Sequence, residues 1–357
     1  MKILELTRSF YPSLGGMEKF VADRLKIYKS LGYEYQVITT THSEKKLATA
    51  QRLDKVKYLP SYTPYEIVPS LKRILNTEYD ILSVNQVGYY YSDYAIRKAY
   101  SDGKKIILTP HFYFHTNKYK YIKNLHFNYV LPTIFNKVNR IICFTNHEAS
   151  YWMEKFPRIS KKIVIIPHYF MPPTKIIDSG KNEFGTYLLF LGRGEKNKRI
   201  DLLIHAFDKL KSNYHLVLTI DKDEIPFNLR KIVYNNNKIN LLGRVSEKRK
   251  QTLLANCAVL VLPTDYEAFG IVNLEASFYK KPILLSELAI FKSILDSNGI
   301  IYFENNIQSI YTNLIKFINL SENEKNKMGI INYKNLNRFR MENVLEKYSV
   351  IFKELIN

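Results

Sequence analysis

Glu267 and Glu275 stand eight positions apart in the run Asp265-Tyr266-Glu267-Ala268-Phe269-Gly270-Ile271-Val272-Asn273-Leu274-Glu275-Ala276, just beyond the apolar stretch Ala258-Val259-Leu260-Val261-Leu262-Pro263. That order reads as strand, loop and helix, with Glu267 in the loop and Glu275 about one turn into the helix. In an open parallel sheet this edge receives ligands, and a helix start offers unpaired N–H groups to an anion. A glutamate early in a helix can also serve only to complement the helix dipole. A second loop upstream strengthens the ligand reading. The apolar strand Tyr187-Leu188-Leu189-Phe190-Leu191 runs through Gly192-Arg193-Gly194-Glu195-Lys196-Asn197-Lys198-Arg199 into the amphipathic segment Ile200 to Phe207. The guanidinium of Arg193 can clamp phosphate oxygens at two points, and Lys198 adds a compact positive charge. The two loops supply cations for a diphosphate and acceptors for sugar hydroxyls, the two kinds of group a sugar nucleotide carries.

The elements that must hold these loops alternate between strand and helix patterns from end to end. Lys2 to Leu6 reads as a strand, Glu18 to Leu31 as a helix and Glu34 to Thr39 as a strand. Further strands are expected at Ile81 to Val84, Lys105 to Thr109, Arg140 to Phe144 and Ile163 to Ile166. Such alternation predicts parallel strands with crossover helices. Pro172 and Pro173 interrupt regular structure, and the alternation restarts at Tyr187. The expected fold class is α/β, two Rossmann-like domains facing across a cleft, the natural place for a ligand that touches both. Met341 to Leu355 reads as an amphipathic terminal helix.

With these elements in place, the sequence resembles a known family. Gly192-Arg193 with Lys198, then Gly243-Arg244-Val245, Glu267-Ala268-Phe269-Gly270, Glu275-Ala276 and Lys281-Pro282-Ile283 look like the C-terminal half of retaining glycosyltransferase family 4, which has the GT-B fold. Phe10-Tyr11-Pro12-Ser13-Leu14-Gly15-Gly16-Met17-Glu18 is similar to the glycine-pair loop after that family's first strand. The resemblance runs from Met1 to about Phe303. It implies an acceptor-binding domain over residues 1–172, a nucleotide-sugar domain over 173–340 and a helix over 341–357 that packs back on the first domain. Gly15 and Gly16 are expected to adopt positive φ and approach a ligand without a Cβ in the way, or else to form an ordinary tight turn. His111, in Leu108-Thr109-Pro110-His111, matches a histidine that lines the family's donor site. His115 competes with it, and a packed structural role is the plain alternative for either. Trp152 reads as core. The sequence departs from the family at Arg199 and at Ala268, where glycine is common, and at Leu288-Ala289-Ile290-Phe291, which replaces a glycine pair. These departures leave the sugar's identity open.

The resemblance implies transfer of a hexose from a nucleotide diphosphate sugar with retention, UDP-glucose being the first expectation for the donor and GDP-mannose the second. The acceptor is expected to be a glycan or lipid-linked glycan, in cell-surface or protein glycosylation. Negative charge grows on the departing diphosphate, so preorganised cations lower the barrier. Arg193, Lys198, Glu267 and His111 are the residues expected at the reacting groups. Gly15, Gly16, Ala268, Phe269, Gly270, Ile271 and Glu275 complete the expected donor contacts, with Glu275 accepting from the ribose and Glu267 from the transferred sugar. No resident cofactor and no metal are expected, since the cations already answer the charge; Asp221-Lys222-Asp223 reads as a solvated turn.

Composition sets outer limits. At 357 residues and 46% hydrophobic, the chain suits two ordinary domains and excludes a disordered protein. No apolar run approaches the roughly 18 residues needed to cross a bilayer, and Glu5 interrupts the start too early for a secretory signal. Cys143 and Cys257 lie far apart, which suits a buried thiol in each domain and a cytoplasmic setting. The 53 Lys and Arg against 33 Asp and Glu, a net +20, speak about partners. Nine basic residues and one acid fall between Arg97 and Arg140, mixed with Tyr89-Tyr90-Tyr91, Phe112-Tyr113-Phe114 and Tyr119-Lys120-Tyr121. That stretch suits an anionic inner membrane face or a single nucleic-acid strand, or is a solvated surface. The family resemblance favours the membrane, and no nucleic acid is expected. A nucleotide-sugar epimerase of the same fold, a basic nucleic-acid binder and a noncatalytic relative remain alternatives.

Overall fold

The structure, a computed structural model, describes residues 1–12, 15–40, 55–62, 67–111, 120–173 and 182–356. The chain divides into two compact units, Met1–Tyr169 with Glu342–Asn357, and Phe170–Met341. Both are parallel α/β sheets.

The first unit holds β1 (Lys2–Thr7), β2 (Glu34–Thr40), β3 (Val56–Leu59), β4 (Ile81–Asn85), β5 (Lys105–Thr109), β6 (Arg140–Cys143) and β7 (Ile163–Ile165), in the order β3-β2-β1-β4-β5-β6-β7. Every pairing is parallel. Strand β4 is buried along its whole length because crossover helices cover both faces, which is why such strands read as mostly apolar runs. The helix Asn146–Lys155 brings Trp152 into this core, where it is fully buried between Phe127, Phe135 and Phe156. The terminal helix Met341–Ile356 belongs to the same unit: Phe352 packs on Tyr28 and Tyr33, and Glu354 accepts from Arg140 at 2.8 Å.

The second unit holds β8 (Tyr187–Phe190), β9 (His215–Leu218), β10 (Ile239–Leu241), β11 (Val259–Leu262), β12 (Ile283–Ser286) and β13 (Ile300–Phe303), in the order β10-β9-β8-β11-β12-β13. Its pairings are likewise parallel. The strands foreseen from the sequence are present to within a residue or two. The short strands β3, β10, β12 and β13 were not foreseen, since three or four residues carry little periodic signal.

Each sheet has a point where chain order reverses, β1 beside β4 in the first unit and β8 beside β11 in the second. Neighbouring crossovers leave in opposite directions there, so the carboxyl ends of the two strands are left uncovered and form a crevice. The singled-out loops follow β8 and β11.

Candidate functional site

Residues 69 apart in sequence meet at the β8/β11 reversal. Lys198, on a single turn (Lys196–Lys198) after β8, donates its ammonium to Oε2 of Glu267 at 2.5 Å. Oε1 of Glu267 accepts the Ala268 N–H at 3.1 Å, so the carboxylate is held from both sides. The loops are also stapled by main chain: Asn197 O accepts from Asp265 N at 2.8 Å and from the Thr264 hydroxyl at 3.1 Å. An ammonium has three donors, and Glu267 takes one, leaving capacity for phosphate oxygens. Arg193 lies in the same loop about half exposed, with Nη1 3.5 Å from Glu195.

Arg199 stands where the resembled family commonly has glycine, and its backbone explains that preference. It is left-handed, φ 43° and ψ 38°, a conformation that strains a residue with a side chain. Its guanidinium bonds Asp201 and Asp265, which compensates and ties the loop to the one after β11. Gly270 closes that second loop at φ 80°, and a Cβ there would come 2.6 Å from the Asn273 amide nitrogen, so glycine is required. The helix Ile271–Phe278 follows, opening a turn of N–H donors beside Ile271. The Phe269 side chain is buried edge-on to Phe339, so only its main chain is available to a ligand.

Glu275, one turn into this helix, accepts from Lys250 Nζ at 2.8 Å. Lys250, on the helix Glu247–Asn256, also reaches Glu247 at 2.9 Å. Burial works against its charge, but the two carboxylates outweigh that and hold its pKa above the ordinary lysine value. Lys250 was missed from sequence because Glu247-Lys248-Arg249-Lys250 reads as a solvated helix face. Asp221, of the Asp221-Lys222-Asp223 run, begins a capped single turn and accepts from the Arg244 main-chain N–H at 3.1 Å.

In the first unit the glycine pair differs from expectation. Gly15 has φ 177°, extended backbone open to any residue, and Gly16 begins the helix Gly16–Ser30 without positive φ. The anticipated left-handed conformation is therefore absent, because a helix start needs only an extended residue before it. What persists is room: a Cβ on Gly16 would meet nothing within 4 Å.

His111 follows β5 with φ 52° and packs edge-on to Phe20 and Phe144. Its Nε2 lies 3.1 Å from Oδ1 of Asn85, the last residue of β4. That oxygen also accepts from Arg24, while Nδ2 of Asn85 donates to Glu5 and to the Leu6 carbonyl. The surrounding bonds therefore orient the amide, and His111 donates from Nε2, leaving Nδ1 as the ring's acceptor. Burial, with His168 and Arg24 nearby, pushes the His111 pKa well below the usual value, so the ring is neutral. The competing His115 lies outside the described residues.

Behind His111 is a buried network that sequence reasoning missed. Arg24 reaches Glu5, Asn85 and Thr109, and Tyr28 donates to Glu5 at 2.8 Å. The signal was present in Lys2-Ile3-Leu4-Glu5-Leu6, where one carboxylate interrupts an apolar strand. Cys143 and Cys257 are buried thiols, one in each unit, and burial raises both pKa values.

Two parallel α/β sheets with cation and carboxylate loops at a strand-order reversal define the class of GT-B glycosyltransferases. Solved structures share this fold: sucrose-phosphate synthase of Thermosynechococcus elongatus has a TM-score of 0.78 at 13% identity, covering 99% of both chains. Anabaena Alr3699/HepE in complex with UDP and glucose has a TM-score of 0.78 at 16% identity, covering 99% of this chain and 100% of that one. Residues 14–169 match Glycosyltransferase Family 4 and residues 173–335 match Glycosyl transferases group 1, and the chain belongs to this glycosyltransferase family. It is 23% identical to the uncharacterised glycosyltransferase MJ1178 of Methanocaldococcus jannaschii, over 91% of this chain and 90% of that protein. It is 22% identical to the GDP-mannose:cellobiosyl-diphosphopolyprenol alpha-mannosyltransferase of Xanthomonas oryzae pv. oryzae, over 84% of this chain and 82% of that protein.

Proposed function

We propose that this glycosyltransferase moves a hexose from a nucleotide diphosphate sugar to a glycan or lipid-linked glycan with retention of anomeric configuration, working at the cytoplasmic face of a membrane. The observation that carries the reading is the Lys198–Glu267 pair at the β8/β11 reversal, a cation and an acceptor fixed side by side. Lys198 and Arg193 neutralise the departing diphosphate together with N–H groups at the start of the helix Ile271–Phe278. The negative charge that grows on the leaving group is answered by these side chains, so the reading requires no resident metal or cofactor. Glu275, steadied by Lys250, accepts from ribose hydroxyls, and Glu267 accepts from the transferred sugar. His111 offers Nδ1 to a sugar hydroxyl as a neutral acceptor, while Gly15 and Gly16 leave the main chain of the first unit open to the ligand. No nucleophile is assigned: the acceptor attacks on the face that the diphosphate leaves. Of the two donors, the mannosyltransferases among the sequence relatives weigh toward GDP-mannose over UDP-glucose.

A thermal-shift panel of UDP, GDP, ADP and their sugars tests the reading, because specific binding stabilises by RT ln(1 + [L]/Kd). One base should raise the unfolding temperature more than the others, and its sugar conjugate should raise it at least as much. Equal response to all, or to none, contradicts a nucleotide-sugar site.

A further inference from the structure

The helix Tyr90–Ser101 and the helical run through Lys120–Leu125, the π-turn His126–Val130 and Leu131–Lys137 lie side by side in the first unit. Three contacts join them: Asp93 to His126 at 2.6 Å, Arg97 to the Thr133 hydroxyl at 3.2 Å, and the Lys137 ammonium 4.5 Å over the Tyr100 ring. The inner side of the second run is core, with Leu131, Ile134 and Phe135 fully buried and Phe127 packed on Trp152. Its outer side is also apolar. Tyr121 is 86% exposed, Ile122 50%, Leu125 59% and Tyr129 72%. Positions 121, 125 and 129 share one helix face, and 122 lies next to them. A helix that has already buried one face gains nothing from a second apolar face in water, so a row of this kind marks a surface that is covered in use.

Charge points to what covers it. Between residues 90 and 137 the chain carries eight Lys or Arg and two acids, Asp93 and Asp102. Both acids are paired within the helices, Asp93 with His126 and Asp102 with Lys98. The cations Arg97 and Lys137, which join the two helices through the Thr133 hydroxyl and the Tyr100 ring, therefore border the apolar row. Anionic headgroups match such a border, and Tyr rings suit the level where headgroups meet acyl chains. We propose that this outer face seats the protein on an anionic lipid bilayer, with Tyr121, Ile122, Leu125 and Tyr129 entering the headgroup boundary. The proposal deepens the membrane part of the proposed function and rests on it.

Flotation of the full chain tests it, using vesicles of phosphatidylcholine alone and of phosphatidylcholine with phosphatidylglycerol. The unsubstituted protein should float with the anionic vesicles at low salt and lose binding as salt rises. Ile122→Ser with Leu125→Ser should lower the partition coefficient at least about tenfold, from the apolar area withdrawn from lipid. Arg97→Gln with Lys137→Gln should weaken only the anionic, salt-sensitive part. Unchanged thermal unfolding and unchanged nucleotide binding in both variants show that the fold and donor site are intact. Should the unsubstituted protein stay with neither vesicle, the membrane reading itself falls. Should it float and both variants float equally well, the face assigned here is wrong although a membrane remains the partner. A dimer by light scattering that dissociates on Leu125→Ser, without lipid binding, would give the surface to a second copy and overturn the proposal.

Discussion

Replacing Glu5 by alanine removes the carboxylate from a fully buried polar network of the first unit. Glu5 and Arg24 are 0% and 1% exposed, and Arg24 also bonds Asn85 at 2.6 Å and Thr109 at 2.9 Å, with its guanidinium carbon 4.5 Å from the Phe20 ring centroid. Burial works against the charge of Arg24, but Glu5 outweighs it and holds the guanidinium pKa above its ordinary value. After Glu5→Ala the Arg24 charge stays buried, and the Tyr28 hydroxyl and Asn85 amide lose an acceptor. Breaking a buried pair from one side costs about 3–5 kcal/mol, a large share of the 5–15 kcal/mol of a typical domain. Trp152 is the only tryptophan, and it is buried in the same unit, so its fluorescence follows the unfolding of that unit in urea. With a urea slope of about 2 kcal/mol/M, the midpoint should fall by about 2 M. Glu5→Leu combined with Arg24→Met should recover most of the loss, because no unpaired charge remains inside. A fall of less than about 0.5 M for Glu5→Ala, or a double variant no more stable than the single one, would refute the reasoning.

Lys198→Ala and Arg193→Ala should each lower kcat about a hundredfold, measured as nucleotide release at saturating donor, in keeping with the loss of one transition-state donor; normal kcat in both would contradict their assignment. Lys250→Met should chiefly raise the donor KM, since Glu275 loses its anchor and a ribose contact acts in ground and transition states alike; a kcat defect with unchanged KM would remove Glu275 from the ribose. Burial lowers the His168 pKa to about 3, with Arg24 and Lys19 adding to the effect. Its folded pKa lies below the unfolded value near 6.5, so the unfolded chain takes up the proton first and stability falls as pH drops below about 6.5. From pH 6.5 to 5 that loss should be about 2 kcal/mol. Urea midpoints at the two values should converge partly in His168→Phe, His111 carrying the rest; an unchanged pH dependence would refute the buried neutral ring.

Short-range pattern was enough to locate most elements. Mostly apolar runs of four to six residues between turn signals marked β1, β4, β5, β8 and β11, because strands covered on both faces favour apolar residues along their length. The same local reading placed Glu267 in a loop and Glu275 one turn into a helix, as the structure has them. Conformation inside the loops was less legible. Gly15 and Gly16 looked like positive-φ glycines and are not, whereas Arg199 is left-handed because its bonds to Asp201 and Asp265 hold it there. Glycine permits such a backbone but does not demand it, so composition alone cannot assign φ.

Partnership belongs to the tertiary structure. Lys198 meets Glu267 only because β8 and β11 are neighbours, and Lys250 reaches Glu275 only because two helices pack together. Asn85 fixes the His111 ring from the adjacent strand. By itself the sequence determined which residues could form strands and helices and which side chains could do chemistry, since those depend on spacing along a few residues. Which charge answers which carboxylate was decided by strand order, because a pairwise energy depends on distance in space and the chain leaves that distance open until the sheet has formed.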